Sequence, residues 1–280
     1  MAAGKHRIAG RFRELRARNE AALIPFVVAG DPNLDRTREL VLEFARRGAD
    51  IIELGVPFSD PMADGPANQR AAQRGLKSGA SLAAILAMVS ELRKETEIPL
   101  ILFGYFNPIF HYGCERLCAD AGRAGVDSLL VVDLPPDEAG ELLKPARANG
   151  LDIIYLLAPT TPIERARYVV RSASGFIYYV AVTGVTGARV ALPSDLEEQV
   201  TRMRSVTDLP IGVGFGISTP EQAAKVARFA DAVVVGSAIT LLIEANAESP
   251  DLVTTVGELV GSMKLAMKAV RPAADTGAAR

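Results

Sequence analysis

Eight short apolar runs, each followed by a segment of helical periodicity, restrict the fold of this 280-residue chain more than any other feature. Most of the runs are continuously apolar, which is typical of parallel strands buried on both faces. In chain order they are LIPFVVAG (23–30), DIIELG (50–55), PLILFGY (99–105), SLLVVDLP (128–135), LDIIYLLAP (151–159), GFIYYVAVTG (175–184), PIGVGFG (210–216) and DAVVVGSA (231–238). The alternation of strand and helix predicts an α/β fold with a parallel sheet.

Eight strand and helix units predict a closed (β/α)8 TIM barrel, because eight is the number of parallel strands that closes. An open doubly wound sheet is the alternative, and it is less favoured for the same reason. The length alone would allow two domains, although barrels of this class use such a length for one. We expect one domain over residues 1–270 and a frayed tail over 271–280, which offers almost nothing to bury.

The segment before the first run carries Ile8, Phe12 and Leu15 at the spacing i, i+4 and i+7. This spacing predicts an extra amphipathic N-terminal helix that caps the barrel floor. A basic arm that binds nucleic acid is the alternative, but charge on the solvated face of a helix is commoner. With 31 basic and 33 acidic residues the formal charge is -2, so no global field attracts nucleic acid or an anionic membrane.

Cysteine and histidine are too scarce for a metal site. Cys114 and Cys118 lie four residues apart without a second pair, and His6 and His111 are the only histidines. We therefore expect reduced buried thiols and no bound metal. The beginning of the chain lacks the apolar core of a secretory signal, and no run approaches the length of a membrane span, so we expect a cytoplasmic protein.

Glycine-rich stretches follow three consecutive runs, at the strand ends where active sites of such barrels lie. The sixth run leads into TGVTGAR, the seventh into GFGIS and the eighth into GSAIT. Gly214 and Gly216 leave backbone N–H groups open, Thr219 can cap the next helix, and Gly236 with Ser237 opens a further short helix. One such loop would indicate only a tight turn, whereas three at adjacent strand ends predict a phosphate site.

Glu53 lies within the second run, DIIELG. If side chains alternate, Ile51 and Glu53 share one face while Ile52 and Leu54 face the helices, which places Glu53 in the barrel mouth. Apolar neighbours disfavour the charged form of a carboxyl and raise its pKa, which suits proton transfer near neutrality. The alternative is a structural glutamate that an arginine or a tyrosine neutralises.

Elimination narrows the chemistry further. No lysine closes any of the eight runs, which disfavours Schiff-base chemistry, and neither cysteine lies at a strand end. What remains is proton transfer by carboxylates on a phosphorylated substrate, assisted by tyrosines such as Tyr105 and Tyr178.

Longer motifs resemble the tryptophan synthase alpha chain family over essentially the whole barrel. They are PFVVAGDP (25–32), ELGVPFSDPMADGP (53–66), FGYFNPIF (103–110), VVDLPPDE (131–138), TGVTGAR (183–189), GFGIS (214–218) and VVVGSAI (233–239). The resemblance implies a lyase of L-tryptophan biosynthesis that cleaves indole-3-glycerol phosphate, in an aldol-type reaction, to indole and glyceraldehyde 3-phosphate. It also implies no cofactor on this chain, and a beta chain with pyridoxal phosphate that receives the indole in an α2β2 heterotetramer.

The same resemblance implies roles for individual residues. Glu53 is the general acid and base, Asp64 holds the indole N–H, and Tyr178 completes the catalytic set. The implied phosphate ligands are Gly187, Gly216, Gly236 and Ser237; the residues of the indole pocket and sixth loop are Phe26, Tyr105, Thr186 and Phe215; the beta-chain contacts are Pro57, Asp60, Asn107 and Pro135. Thr186 would meet Asp64 when the sixth loop closes and excludes water.

Three positions depart from the family pattern and bear on pocket shape and the sixth loop. Val28 stands where threonine is common, Gly104 where a larger residue is common, and Val182 where some relatives have arginine. Three other functions stay open. They are a stand-alone lyase that releases free indole, a non-catalytic barrel that activates a beta chain, and another phosphate-binding barrel, such as an isomerase earlier in the same pathway.

Overall fold

The chain forms a closed barrel of eight parallel strands in the computed structural model, which describes residues 6–181, 192–214 and 216–271. The strands are β1 (Ala22–Val28), β2 (Ile52–Gly55), β3 (Leu100–Gly104), β4 (Ser128–Val131), β5 (Asp152–Leu157), β6 (Ile177–Val180), β7 (Ile211–Gly214) and β8 (Ala232–Val235). Each strand pairs with the next, and β8 pairs with β1. The predicted (β/α)8 TIM barrel is confirmed, and the open-sheet alternative is wrong.

Twelve helices surround this barrel within the described residues. They are α1 (Arg7–Ala17), α2 (Leu34–Arg46), α3 (Pro66–Lys77), α4 (Leu82–Leu92), α5 (Phe106–Tyr112), α6 (Cys114–Ala124), α7 (Gly140–Ala148), α8 (Ile163–Ser172), α9 (Leu196–Arg204), α10 (Pro220–Ala227), α11 (Ser237–Ala245) and α12 (Leu252–Ala269). None of these described helices is by itself long and apolar enough to cross a membrane. Helices α3 and α4 meet the limits of length and composition only as a pair, which is bent by 90°.

Apolar side chains pack in two layers, one inside the barrel and one between the strands and the helices. Around β2, Ile51 belongs to the inner layer while Ile52 and Leu54 belong to the outer layer, as the alternation predicts. Glu53 has the same parity as Ile51. Its carboxyl group is therefore directed into the barrel.

Helix α1 closes the amino end of the barrel. Its buried residues Ile8, Phe12 and Leu15 belong to the same apolar cluster as the barrel interior. The ring of Phe12 lies 5.8 Å from the ring of Phe176, centroid to centroid. Arg7 is not free for an outside partner, because its guanidinium binds Asp127 at 3.0 Å. The predicted floor cap is confirmed.

Aspartates at the barrel floor tie neighbouring strands together, a feature that the sequence analysis missed. Each of three aspartates lies one or two residues before a strand and accepts a backbone N–H from the neighbouring strand. The pairs are Asp50 with Leu23 (2.8 Å), Asp127 with Leu100 (2.8 Å) and Asp231 with Ile211 (2.9 Å). Each carboxylate also binds a cation at 2.8 Å, namely Lys264, Arg93 and Arg204 respectively. The negative charges of these three aspartates are therefore compensated.

Replacing Phe12 by alanine tests the cap. We expect the free energy of unfolding to fall by about 3–5 kcal/mol, because the change leaves a cavity beneath Phe176. Arg13→Ala, an exchange at the next, exposed position of α1, is the matched control and should alter stability by about 0.5 kcal/mol at most. Urea unfolding followed by circular dichroism measures both variants, and equal losses would contradict the capping role of Phe12.

Candidate active site

Glu53 lies buried at the mouth of the barrel. Its residue is 1% exposed, and its strand neighbours in register are Phe26 of β1 and Ile101 of β3. Within the described part of the chain, Glu53 Oε1 has no hydrogen-bond partner. Burial raises the pKa of this carboxyl from its ordinary value of 4.5 to about 8, because the charged form loses its hydration. The group is therefore largely protonated at neutral pH.

Glu53 differs from the other buried carboxylates of the described chain because they are paired with a cation and it is not. The described residues bury five carboxylates, and four of them contact a lysine or an arginine. These four are Asp31 with Arg74, Glu43 with Arg46 and Arg47, Asp50 with Lys264, and Asp127 with Arg7 and Arg93. Glu53 is the only one of the five without an ion pair to another described residue. The interpretation of Glu53 as a structural glutamate, neutralised by a fixed arginine, is not supported by this arrangement.

Asp64 lies in the loop between β2 and α3, half-buried and held by hydrogen bonds. The Tyr105 hydroxyl donates to Asp64 Oδ2 at 2.8 Å, and the Ala63 N–H donates to the same hydroxyl at 3.0 Å. Burial raises the pKa of Asp64, while hydrogen bonds from the side chains of Tyr105 and Asn68 act in the opposite direction. These bonds favour the carboxylate form and fix its orientation.

Tyr178 of β6 faces both carboxylates. It is buried, and burial raises the pKa of its phenol well above the ordinary value; the charges of Glu53 and Asp64 raise it further. Its hydroxyl lies where a side chain of Gly214 would be, because a Cβ at that position would lie 2.1 Å from the Tyr178 oxygen. The sequence predicts an open N–H at Gly214. In the structure this glycine is the last residue of β7, and its missing side chain makes room for the phenol.

Aromatic side chains line a cleft between these groups. Phe26 meets Phe103 edge to face with ring centroids 5.2 Å apart, and Phe58 lies 5.4 Å from Tyr105. The full lining is Phe26, Val28, Gly55, Val56, Pro57, Phe58, Pro61, Asp64, Asn68, Ala72, Phe103, Gly104 and Tyr105. Such a wall of aromatic and aliphatic groups with one carboxylate suits a flat apolar ring that carries an N–H.

Phe26 joins the carboxylate side of the mouth to the glycine turn after β8. A Cβ on Gly55 would lie 2.6 Å from the far end of the Phe26 ring, so glycine is required there for the ring to fit. On the other side, a Cβ on Gly236 would lie 3.7 Å from the same ring. Phe26 therefore separates β2 from the start of α11.

The glycine turns after β7 and β8 take the positions that the sequence predicts. Gly216 has a φ of +78° and open space around its Cβ position. Gly236 is the N-cap of α11, and Ser237 is the first residue of that helix. Thr219 caps α10 by accepting the Gln222 N–H, as predicted. The remaining predicted residues of these loops, Thr186, Gly187 and Phe215, lie outside the described residues, as does Val182.

The four residues assigned to a partner interface differ in exposure. Asp60 and Asn107 are exposed, after β2 and in the first turn of α5, and Pro135 is half-buried after β4. Pro57 is buried within this chain, where its ring packs against α3 close to Gly75. Three of the four therefore present surface at the carboxyl ends of β2 to β4, and Pro57 lies beneath it.

Several site residues were missed from the sequence. Asn68 touches Asp64 from α3, and Phe103 packs on Phe26, yet neither carries a local motif. Strand alternation could have found Phe103, because it lies two residues after the inward Ile101. The side chain of Val56 explains why position 104 holds a glycine and not a larger residue. A Cβ at Gly104 would lie 3.3 Å from that side chain, which fills the space.

Residue types that can bind a metal ion are scattered in the part of the chain that the structure describes. It contains no group of three or more histidine, cysteine, aspartate or glutamate side chains that could hold an ion. Cys118 is buried in α6 and Cys114 is half-buried, so the predicted burial is complete only for Cys118.

Known proteins match this chain over nearly its whole length. A family model described as "Tryptophan synthase alpha chain" matches residues 12–268. The chain is 56% identical to the tryptophan synthase alpha chain of Citrifermentans bemidjiense over 92% of this chain and 96% of that protein. It is 50% identical to that of Gluconacetobacter diazotrophicus over 95% and 98% respectively. The crystal structure of tryptophan synthase subunit alpha from Legionella pneumophila superposes with a TM-score of 0.87 at 40% identity, over 94% and 98%.

Exchange of Glu53 for glutamine should remove the decline in the free energy of unfolding that titration of this carboxyl causes. The folded chain holds the Glu53 proton up to about pH 8, while the unfolded chain releases it near 4.5. The wild-type free energy of unfolding should therefore fall as the pH rises through this window, by a few kcal/mol in total. Glu53→Gln lacks this decline and should be more stable than the wild type at pH 8.

Unfolding curves from pH 4 to pH 9, together with carbon NMR of the labelled carboxyl, measure both quantities. The same exchange at the exposed residue Glu115 is the control and should leave the wild-type slope unchanged. A Glu53 carboxyl that titrates near 4.5 would contradict its uncompensated burial.

Proposed function

The chain belongs to the tryptophan synthase alpha chain family, and from that premise we propose that it cleaves indole-3-glycerol phosphate to indole and glyceraldehyde 3-phosphate. Family membership makes it a lyase of tryptophan biosynthesis that performs the alpha reaction. The proposal goes further, because it assigns the substrate to the mouth of this barrel and the proton transfers to Glu53 and Asp64. The match over residues 12–268 supports it, since this range includes every strand.

The uncompensated burial of Glu53 is the observation that carries the mechanism. A carboxyl with a pKa of about 8 is protonated at neutral pH and can donate a proton to C3 of the indole ring. The resulting carboxylate then accepts the proton of the side-chain hydroxyl while the carbon–carbon bond breaks. Its electron pair returns to the ring, and the hydroxyl carbon becomes the aldehyde of glyceraldehyde 3-phosphate. One residue thus gives one proton, takes one back, and ends in its starting state.

Asp64 serves the second need of the reaction. Protonation of C3 places positive charge on the ring nitrogen, and a carboxylate beside the N–H stabilises that charge. The Tyr105 hydroxyl donates to Asp64 Oδ2 at 2.8 Å and fixes the orientation of the carboxylate. The phenol of Tyr178 stays protonated, because burial and the neighbouring carboxyl groups raise its pKa, and it can donate to the substrate.

The phosphate end of the substrate would bind at the turns after β7 and β8. Open backbone at Gly216 and the N-terminal turn of α11 at Gly236 and Ser237 supply N–H donors for an anion, and the resemblance adds Gly187. Binding energy from this end, far from the breaking bond, can offset the cost of burying Glu53. Substrate held at both ends is also oriented for proton transfer.

A beta chain is the partner that family membership implies. We propose an α2β2 heterotetramer in which indole passes to a pyridoxal phosphate site on that chain, while the alpha chain uses no cofactor. Asp60 and Asn107 are exposed at the carboxyl ends of β2 and β3, beside the mouth, where a partner could receive the product. Pro57 would act from below this surface by shaping the loop.

Indole release from indole-3-glycerol phosphate tests the proposal directly. Glu53→Gln should abolish nearly all turnover, and Asp64→Asn should lower it by roughly 10²- to 10⁴-fold, because each removes a group that acts in the transition state. Both variants should still bind an indole alkyl phosphate that lacks the scissile hydroxyl.

The assays are run with and without a tryptophan synthase beta chain. Glu115→Gln and Asp35→Asn, isosteric exchanges at exposed helix positions, are the controls and should keep wild-type rates. Equal turnover of the wild type and of both site variants would refute the assigned roles.

A further inference from the structure

Two helices of the site meet through a partly buried hydrogen bond that no part of the chemistry above uses. Helix α3 follows the loop of Asp64, and α11 begins at the turn assigned to phosphate. The Thr240 hydroxyl of α11 donates to Asn68 Oδ1 of α3 at 3.0 Å. Thr240 is 1% exposed, and its backbone N–H donates to the Gly236 carbonyl at 3.1 Å. The threonine is thus one helical turn from the phosphate end.

The Asn68 side chain also lies beside Asp64, since both residues line the same cleft, and its amide lowers the pKa of the Asp64 carboxyl. Its orientation follows from the donors and acceptors present. The amide oxygen accepts from Thr240, so the NH2 group faces Asp64, whereas the reversed amide would set its oxygen against a carboxylate. A continuous path therefore runs from the start of α11 through Thr240 and Asn68 to Asp64.

We propose that Asn68 and Thr240 are positioning residues through which helix α11, anchored by the substrate phosphate, orients the Asp64 carboxylate toward the indole nitrogen. This inference rests on the proposed function, because it assumes that Asp64 acts on the ring. Asn68 forms part of the cleft lining and Thr240 lies behind it, and both act through Asp64 rather than on the reacting atoms. Asn68 holds the carboxylate in its ionised form and in one rotamer, and Thr240 holds Asn68.

A second tie between the same helices lies one turn further along both. Glu244 of α11 binds Arg70 and Arg74 of α3, each at 2.7 Å, and Arg74 also binds Asp31 at 2.7 Å. The two guanidinium groups lower the pKa of Glu244 to about 2. This cluster is partly solvent-exposed and its ion pairs do not include Asp64, so it joins the helices without reaching the site. The Thr240 contact is the one directed at the site.

The titratable groups around Asp64 allow a pH readout. Tyr105 reaches it from the end of β3, Tyr178 faces it from β6, and Glu53 of β2 lies on the other side of Tyr178. Both phenols have raised pKa values and do not titrate in the working range. In a plot of reaction rate against pH, loss of the Glu53 proton, with its pKa of about 8, should produce the alkaline limb. Protonation of Asp64 should produce the acid limb.

The bridge is the path from Thr240 through Asn68 to Asp64. Steady-state kinetics of the full chain, alone and with a beta chain, test this bridge. Asn68→Ala should lower kcat roughly 10- to 100-fold and Thr240→Val about three- to tenfold, each with KM changed less than about twofold. The acid limb should move to higher pH in both, because loss of a donor to the charged form raises the pKa of Asp64. Thr240→Ser keeps the hydroxyl and should restore both quantities.

Thr37→Val is the matched control, since Thr37 is also a buried helical threonine whose hydroxyl makes two hydrogen bonds, at 3.0 Å and 2.9 Å, away from Asp64. It should lose thermal stability without a change in the acid limb. If Thr240→Val likewise loses only stability, or if Thr240→Ser behaves as Thr240→Val does, the bridge is refuted.

A wild type that releases no indole with or without the beta chain would refute the proposed function and the bridge together. An active wild type with unaffected bridge variants refutes the bridge alone.

Discussion

Removal of a carboxyl group from water without a counter-charge is the constraint on which the rest of this structure depends. Glu53 is 1% exposed, and burial is the cause of its raised pKa. Such burial costs free energy of folding, and the surrounding fold has to carry that cost. The closed barrel does so, because its two apolar layers and its continuous ring of strand pairs stabilise the whole rather than the mouth alone.

The two ends of the barrel treat charge in opposite ways. At the floor, Asp50, Asp127 and Asp231 each bind a cation and a backbone N–H, and α1 packs over the opening. At the mouth, Glu53 has neither among the residues that the structure describes, and the Tyr105 hydroxyl that binds Asp64 is a neutral donor. Neutral donors orient a carboxylate without cancelling its charge, as the role proposed for Asp64 requires. The floor therefore supplies rigidity and the mouth supplies reactivity.

Much of the fold could be predicted from the sequence, because its signals are local. Continuous apolar runs predict the eight strands, and the spacing of Ile8, Phe12 and Leu15 predicts the cap. Alternation in β2 is enough to direct Glu53 inward, and a capping residue such as Thr219 identifies a helix start. Each of these inferences needs only neighbours along the chain.

The rest could not be predicted because it depends on contacts between distant segments. Asn68 and Thr240 are separated by 172 positions, and no motif connects them. The role of Gly214 depends on where the ring of Tyr178 lies, and that of Gly104 on Val56. The burial of Pro57 also depends on a distant contact. A proline in a loop is expected at the surface, and only its packing against α3 buries it.

Phe26 has a consequence for selectivity. Its ring fills the gap between Gly55 and Gly236, and an aromatic ring has a fixed width that neither compresses nor bends. The separation between the two halves of the mouth is thus set by a side chain that takes no part in bond making. If the proposed function holds, a substrate that spans them has to carry its anionic group at a matching distance from its planar part, and analogues with a shorter or longer tether should bind less well.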